Sequence, residues 1–197
     1  MNSAQEAPAV SYASYEEFGR DFFAVAVTPE RILAAVGQLA GEPIDFGPIG
    51  VGPGRIAKVA ATGAIGIPTA TRADGEAVRI SVEIPVDLRL RLDLQMDKQR
   101  FEARLTVPIE LTARPAHTCV VFIEATPPRP DQVGLALTAG GLRASLVQRV
   151  GGMEAEIKRF VAKYVARELE KPTIRAARTI DVGAQIARSW GGVDDAG

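Results

Sequence analysis

Two side chains stand out as candidates for covalent or metal chemistry, His117 and Cys119, the chain's single histidine and single cysteine. Both fall at the start of a segment that reads as a strand, TCVVFIEA over Thr118 to Ala125, and two residues apart on a strand means one shared face. A Cys/His zinc site has too few ligands here, and a Cys–His catalytic pair has little support, so a structural role is the stronger reading and neither a catalytic residue nor a metal ligand is assigned. A lone cysteine also makes no internal disulfide. The second candidate is the segment DFGPIGVGPGR from Asp45 to Arg55, whose glycines could let a backbone approach a phosphate. No Lys-Ser/Thr follows it, and neither P-loop spacing nor GxGxxG is present. It reads instead as a loop or broken edge strand, and no cofactor is expected. Basic and acidic residues number 23 and 24, and aromatics are 6% of the chain. That balance argues against nucleic-acid binding and against base-stacking platforms.

The elements that position these residues are more legible than the chemistry. Thr28-Pro29-Glu30 combines a cap, a proline suited to the first helical position and an acid at the positive end. A short helix follows through Ile32, Leu33, Val36 and Leu39 and stops at Gly41 and Pro43. Ahead of it, Phe22, Phe23, Val25 and Val27 read as a strand packed on the domain or as a partner-docking segment. Residues 56–70 read as a small-residue strand pair or one bent strand, and Asp74-Gly75 as a turn.

From 78 to 96 every even position is apolar, from Val78 and Ile80 to Leu94 and Met96; from 101 to 113 the odd positions are, from Phe101 and Ala103 to Leu111 and Ala113. Alternation sustained this long means strands with one dry and one wet face. A turn at Lys98-Gln99 would pair residues whose numbers sum to 197, matching Met96 with Phe101 and Leu90 with Val107. It would set Asp97 against Arg100 and Asp93 against Arg104, and place Asp87 against Glu110 at a like-charge cost. Those two residues are poor turn formers, so a longer loop stays open. Pro85 and Pro108 predict a bulge, because neither can donate to a ladder. TCVVFIEA and Gln132 to Ala139 supply further strands.

After Gly140-Gly141 the period becomes helical. Leu142, Leu146, Val150, Met153, Ile157, Val161, Tyr164, Val165 and Leu169 share one stripe that ends at Pro172, across Gly151-Gly152, which predict a kink or two abutting helices. A short strand over Thr179 to Val182 follows.

A nineteen-residue strand stretches roughly 60 Å and a 29-residue helix about 43 Å, so the sheet must coil. The fold class is α+β: a long, strongly curved antiparallel meander wrapped around a long C-terminal helix, with a short N-terminal helix. The expected division is an N-terminal extension over 1–27, one α+β domain over 28–190 and a disordered tail over 191–197.

That order of short helix, curved meander, long helix and terminal extended segment resembles the tubular lipid-binding (TULIP, BPI-like) superfamily over roughly Thr28 to Val182. The resemblance rests on pattern rather than on a short motif. It implies binding of acyl chains or other apolar ligands between helix and sheet, with Val82, Ile84, Val86, Leu88, Leu90, Leu92, Leu105, Val107, Ile109, Leu111, Met153, Ile157, Val161 and Val165 as the lining. The same residues read equally as a close-packed core. Leu142 to Trp190 holds ten basic and five acidic residues, a surplus that suits an anionic lipid head group or membrane surface or, more simply, a solvated helix face. No signal peptide and no eighteen-residue apolar run occur in the sequence, so a cytoplasmic, non-enzymatic carrier is the leading expectation. Two alternatives stay open. One is a helix-grip enzyme such as a polyketide cyclase, which needs inward polar groups; the other is a module that self-associates through a sheet edge or its N-terminal aromatic segment.

Overall fold

The computed structural model describes residues 10–51, 54, 57–73, 75, 77–93, 98–138 and 144–191, with side chains of the last segment described from 153 onward. Leu94, Met96, Asp97, Asp74, Gly140, Gly141 and Leu142, and the side chains of Leu146 and Val150, lie outside the described residues. The architecture is α+β, an eight-stranded, strongly curled antiparallel sheet with helices.

Helix α1 (Tyr15–Ala26) takes in Phe22, Phe23 and Val25, and Val27 caps its end, which corrects the strand expected there. Ser14 and Glu17 decide the matter. The Ser14 N–H donates to Glu17 Oε2 at 2.8 Å and the Glu17 N–H donates to Ser14 Oγ at 3.2 Å, a reciprocal box that satisfies two otherwise orphaned amides. Helix α2 (Pro29–Val36) starts where Thr28 predicts, with Thr28 Oγ1 accepting from the Arg31 N–H.

The strands run β1 (Pro43–Val51), β2 (Ala57–Ile65), β3 (Thr69–Ala73), β4 (Arg79–Asp93), β5 (Lys98–Ala116), β6 (Val120–Thr126), β7 (Gly134–Thr138) and β8 (Thr179–Asp181). Their order is β1-β2-β4-β5-β6-β8, with β3 beside β4 and β7 beside β5. Between β4 and β5 the paired numbers sum to 191, from Arg79 opposite Thr112 to Asp93 opposite Lys98, and not to 197. Lys98 and Gln99 are therefore strand residues rather than a turn, and residues 94–97 make the connection. A slip of six is even, so it leaves every apolar residue on its expected face and cannot be detected from alternation. Charge distinguishes the two registers. The observed one sets Asp87 against Arg104, with Arg104 Nε donating to Asp87 Oδ1 at 2.9 Å, and places Glu110 opposite Ser81, so the predicted Asp87/Glu110 clash does not arise.

No register shift occurs at Pro85 or Pro108, against the expected bulge. On its far edge β4 pairs with β2 through Val86 to Asp93 and with β3 through Arg79 to Glu83, leaving Pro85 between them. Pro108 lies in the matching gap of β5, between the stretches paired with β7 and β6. The Pro85 carbonyl accepts from the Gly66 N–H, away from β5. Its missing amide hydrogen would point the same way, and Pro108, two pairs along, also faces outward. Each proline thus sits where a strand changes partners and no ladder bond is lost. The irregularity is in β1 instead, between Phe46 and Ile49, where Gly47 has φ +102° and a Cβ would come within 2.6 Å of the Val59 carbonyl.

The dry face divides into two cores at the same waist. The first joins Val59 and Ala61 of β2, Val86 to Leu92 of β4, Phe101 to Val107 of β5, and Met153, Ile157, Val161 and Ala162 of helix α3 (Ala144–Leu169). Phe46 of β1 stacks on Phe160 of α3 with centroids 4.9 Å apart. The second joins Val78, Ile80, Val82, Ala113, Val121 and Ile123 to Val27, with Phe22, Phe23, Ile32 and Val36 packed against it. Ile84 touches both. Helices α4 (Pro172–Ala177) and α5 (Val182–Gly191) flank β8.

Candidate functional site

The sheet–α3 core is the candidate site; parity sets which sheet residues face inward, and the cover by α3 decides which of them join it. Of the residues expected to line it, Val86, Leu88, Leu90, Leu92, Leu105 and Val107 meet Met153, Ile157 and Val161 in the first core, with Ile84 and Val165 at its edge. Val82 and Leu111 fall in the second core, and Ile109 belongs to neither. Sequence reasoning missed Val59, Ala61 and Val133, which are buried among the same side chains. Val59 and Ala61 alternate correctly, but the small and glycine-rich neighbours of β2 dilute the signal. Each fully buried leucine or isoleucine contributes roughly 1.5–3 kcal/mol.

Among the described residues every buried side chain of the core is apolar. The inward ionisable pair needed by a helix-grip enzyme is not found among them, nor is a group of three residues able to hold a metal. Among the described residues the groups with displaced pKa values are exposed. Backbone and side-chain hydrogen bonds at Ser14 hold the Glu17 carboxyl below its usual range, and hydrogen bonds from its own backbone and from Thr28 do the same for Glu30. The hydrogen bond and charge of Asp87 raise the Arg104 guanidinium.

A groove of about 730 Å³ lies on the wet face between Thr62, Gly63 and Ala64 of β2, Asp87 and Arg89 of β4, Glu102 and Arg104 of β5 and Ala136 of β7. Another, of about 360 Å³, runs between α1 and α2 along Phe18, Phe22, Val25 and Arg31. Of the expected lining only Leu88 touches either groove.

His117 and Cys119 do not share a strand face. They lie in the turn between β5 and β6, where Thr118 and Cys119 take φ of 62° and 57°. The Cys119 carbonyl accepts from the Val182 and Gly183 amides, tying this turn to the start of α5.

Arg178 is a structural residue the sequence did not flag. Its Nη2 donates to the Leu169 carbonyl at the end of α3 at 2.7 Å, its Nη1 to the Ile123 carbonyl of β6 at 3.4 Å, and its guanidinium lies 5.5 Å over the Phe122 ring. One side chain thereby fastens α3 to the sheet through a carbonyl that the helix leaves unpaired. No single helix among the described residues is long and apolar enough to cross a membrane. The chain matches no protein-family model and no curated protein sequence.

Proposed function

We propose that the protein binds an apolar molecule, a lipid or a compound with an acyl-like chain, on the dry face of the curled sheet, and that the sheet wraps α3 as in the tubular lipid-binding superfamily. One observation supports this reading: the cover of the dry face is thinnest at its middle. On β4 and β5 the apolar residues on either side are fully buried, while Ile84, Ile109 and Leu111 at the waist are only partly buried. Three large apolar residues on one face, between two helical covers, form an entry strip for a hydrophobic chain. Such a chain gains about 0.8 kcal/mol for each methylene it buries. The basic surplus of Leu142 to Trp190 favours delivery at an anionic membrane surface.

Native mass spectrometry of the purified protein, followed by solvent extraction, tests the reading. A co-purifying hydrophobe, or uptake of a fluorescent fatty acid that Ile109→Asp abolishes, is the expected result. An empty protein that takes up no such probe would overturn it.

A second reading draws on helix α1, whose outer stripe exposes Tyr15 at 98%, Phe18 at 64% and Val25 at 67% beside the smaller groove. Such a stripe suits self-association, which sedimentation across a concentration series detects as a rising mass.

A further inference from the structure

The wet face of the β4–β5 hairpin carries a like-charge pair that the register holds together. Arg91 lies directly opposite Arg100. The pair is of the close, non-hydrogen-bonded kind, since the Pro85 carbonyl turns away from β5 and every second residue of β4, Arg91 included, repeats that orientation. In such pairs the side chains are nearest, and like charges there repel.

The neighbouring rows show how unusual this is. Arg104 pairs with Asp87 at 2.9 Å and Arg114 with Glu124 at 2.8 Å. Arg89 stands opposite Glu102, and Asp93 is flanked by Lys98 on β5 and Lys58 on β2. Arg91 instead has Ala60 on its β2 side. Neither the Arg91 nor the Arg100 side chain makes an ion pair or hydrogen bond with another described residue, and both residues are exposed. The next row, Arg89 and Glu102, already belongs to the wall of the 730 Å³ groove, whose β2 side is kept low by Thr62, Gly63 and Ala64.

We propose that Arg91 and Arg100 form a binding site for a phosphate-type dianion; the cations around it, Arg89, Lys58 and Lys98, are offset by Glu102 and Asp93, so the site rests on the two arginines. Two guanidinium groups on adjacent strands offer donors to one anion, and a phosphate group matches them with several oxygens and up to two negative charges. The bound anion turns the repulsion into two charge-assisted contacts. A free phosphorylated compound and an anionic lipid head group share this chemistry. The site lies on the opposite face of the sheet from the apolar reading and stands independently of it.

The test uses the full chain, with inorganic pyrophosphate for the free source and phosphatidylcholine vesicles with and without phosphatidylglycerol for the lipid source. Calorimetric binding of pyrophosphate, weakened at least about tenfold by Arg91→Gln and by Arg100→Gln but not by Arg79→Gln, supports the site with a free ligand. Sedimentation with the anionic vesicles alone, lost in the same two variants, supports it with a head group. Absence of both interactions overturns the proposal, as does binding that the two variants retain. Melting temperature without anion supplies the fold control: both variants should match or exceed the wild type, and a clear fall would show that the arginines are structural and overturn the reading as well.

Discussion

The two halves of the sheet use the same pair of strands in different ways. Beyond the waist on one side, β4 and β5 pack against α3, which follows them by a long stretch of chain; on the other side they pack against α1 and α2, which precede them. Parity on both strands is unbroken across the boundary, so the sheet face is not what differs. The covers differ, and so do the strand partners, since β2 and β7 serve the first half and β3 and β6 the second. Pro85 and Pro108 mark the change. A proline cannot donate to a ladder, so it is cheapest where no partner strand waits for the bond. A continuous amphipathic hairpin can therefore carry two separate cores, and the place to look for an opening is the seam between them.

The largest effect should come from charging one core at a time. Ile157→Asp, at 0% exposure in the first core, and Ile80→Asp, at 1% in the second, should each cost about 3–5 kcal/mol by burying an unpaired charge. Denaturant titration reads the loss. Hydrogen exchange then asks whether each variant opens only its own half; simultaneous opening would mean that the waist does not divide the cores.

A smaller effect is expected at the latch. Arg178→Ala removes the donor to Leu169 and leaves that carbonyl to water, for a loss of roughly 1–3 kcal/mol. The loss should fall on the junction of α3 with β6, so amide protection near Leu169 and Ile123 should drop while that of β3 is unchanged.

At the seam, Val107→Trp sharpens the functional contrast. Val107 is buried beside Ile84, and a space that admits a ligand accepts added volume that a close-packed core refuses, overpacking costing typically 1–3 kcal/mol. Under the carrier reading, uptake of a fluorescent fatty acid falls while the melting temperature stays near the wild type's. Unfolding as severe as that of Val107→Asp points to a solid core.

Ser14→Ala should loosen the start of α1 by about 1 kcal/mol at neutral pH, touching only the second half. The dependence on pH has a definite sign. The folded Glu17 carboxyl is depressed, so its contribution is present above the unfolded value of 4.5 and fades as pH falls through the lower folded value. The difference between wild type and Ser14→Ala, followed by circular dichroism, should therefore narrow in acid. Least of all should be Arg79→Asp on the wet face, within about 0.5 kcal/mol.

Period alone identified β4 and β5, their dry faces and the inward residues Met153, Ile157 and Val161 of α3, because a period of two or of 3.6 is written residue by residue; Tyr164, on the same predicted stripe, is exposed. Thr28-Pro29 likewise announced α2. Helix α1 was hidden because the apolar run from Phe22 to Val27 outweighed the box at Ser14 and Glu17, although that box was present in the sequence. The candidate site was half visible. Its β4, β5 and α3 members follow from period, whereas Val59 and Ala61 come from a strand whose glycines blur the pattern, and Ile109 shares the parity of its neighbours without sharing their cover.

The sequence by itself determined the faces of the two long strands, since every residue's side is fixed by its number once the backbone is extended. Which residues stand opposite one another was decided only by the tertiary structure. Registers six apart satisfy the same alternation, and the choice rests on the connection, on cross-strand charges and on where β2, β3, β6 and β7 find an edge to join. That choice also brought Arg91 against Arg100 and set both prolines at the seam, because each depends on contacts between segments far apart in the chain.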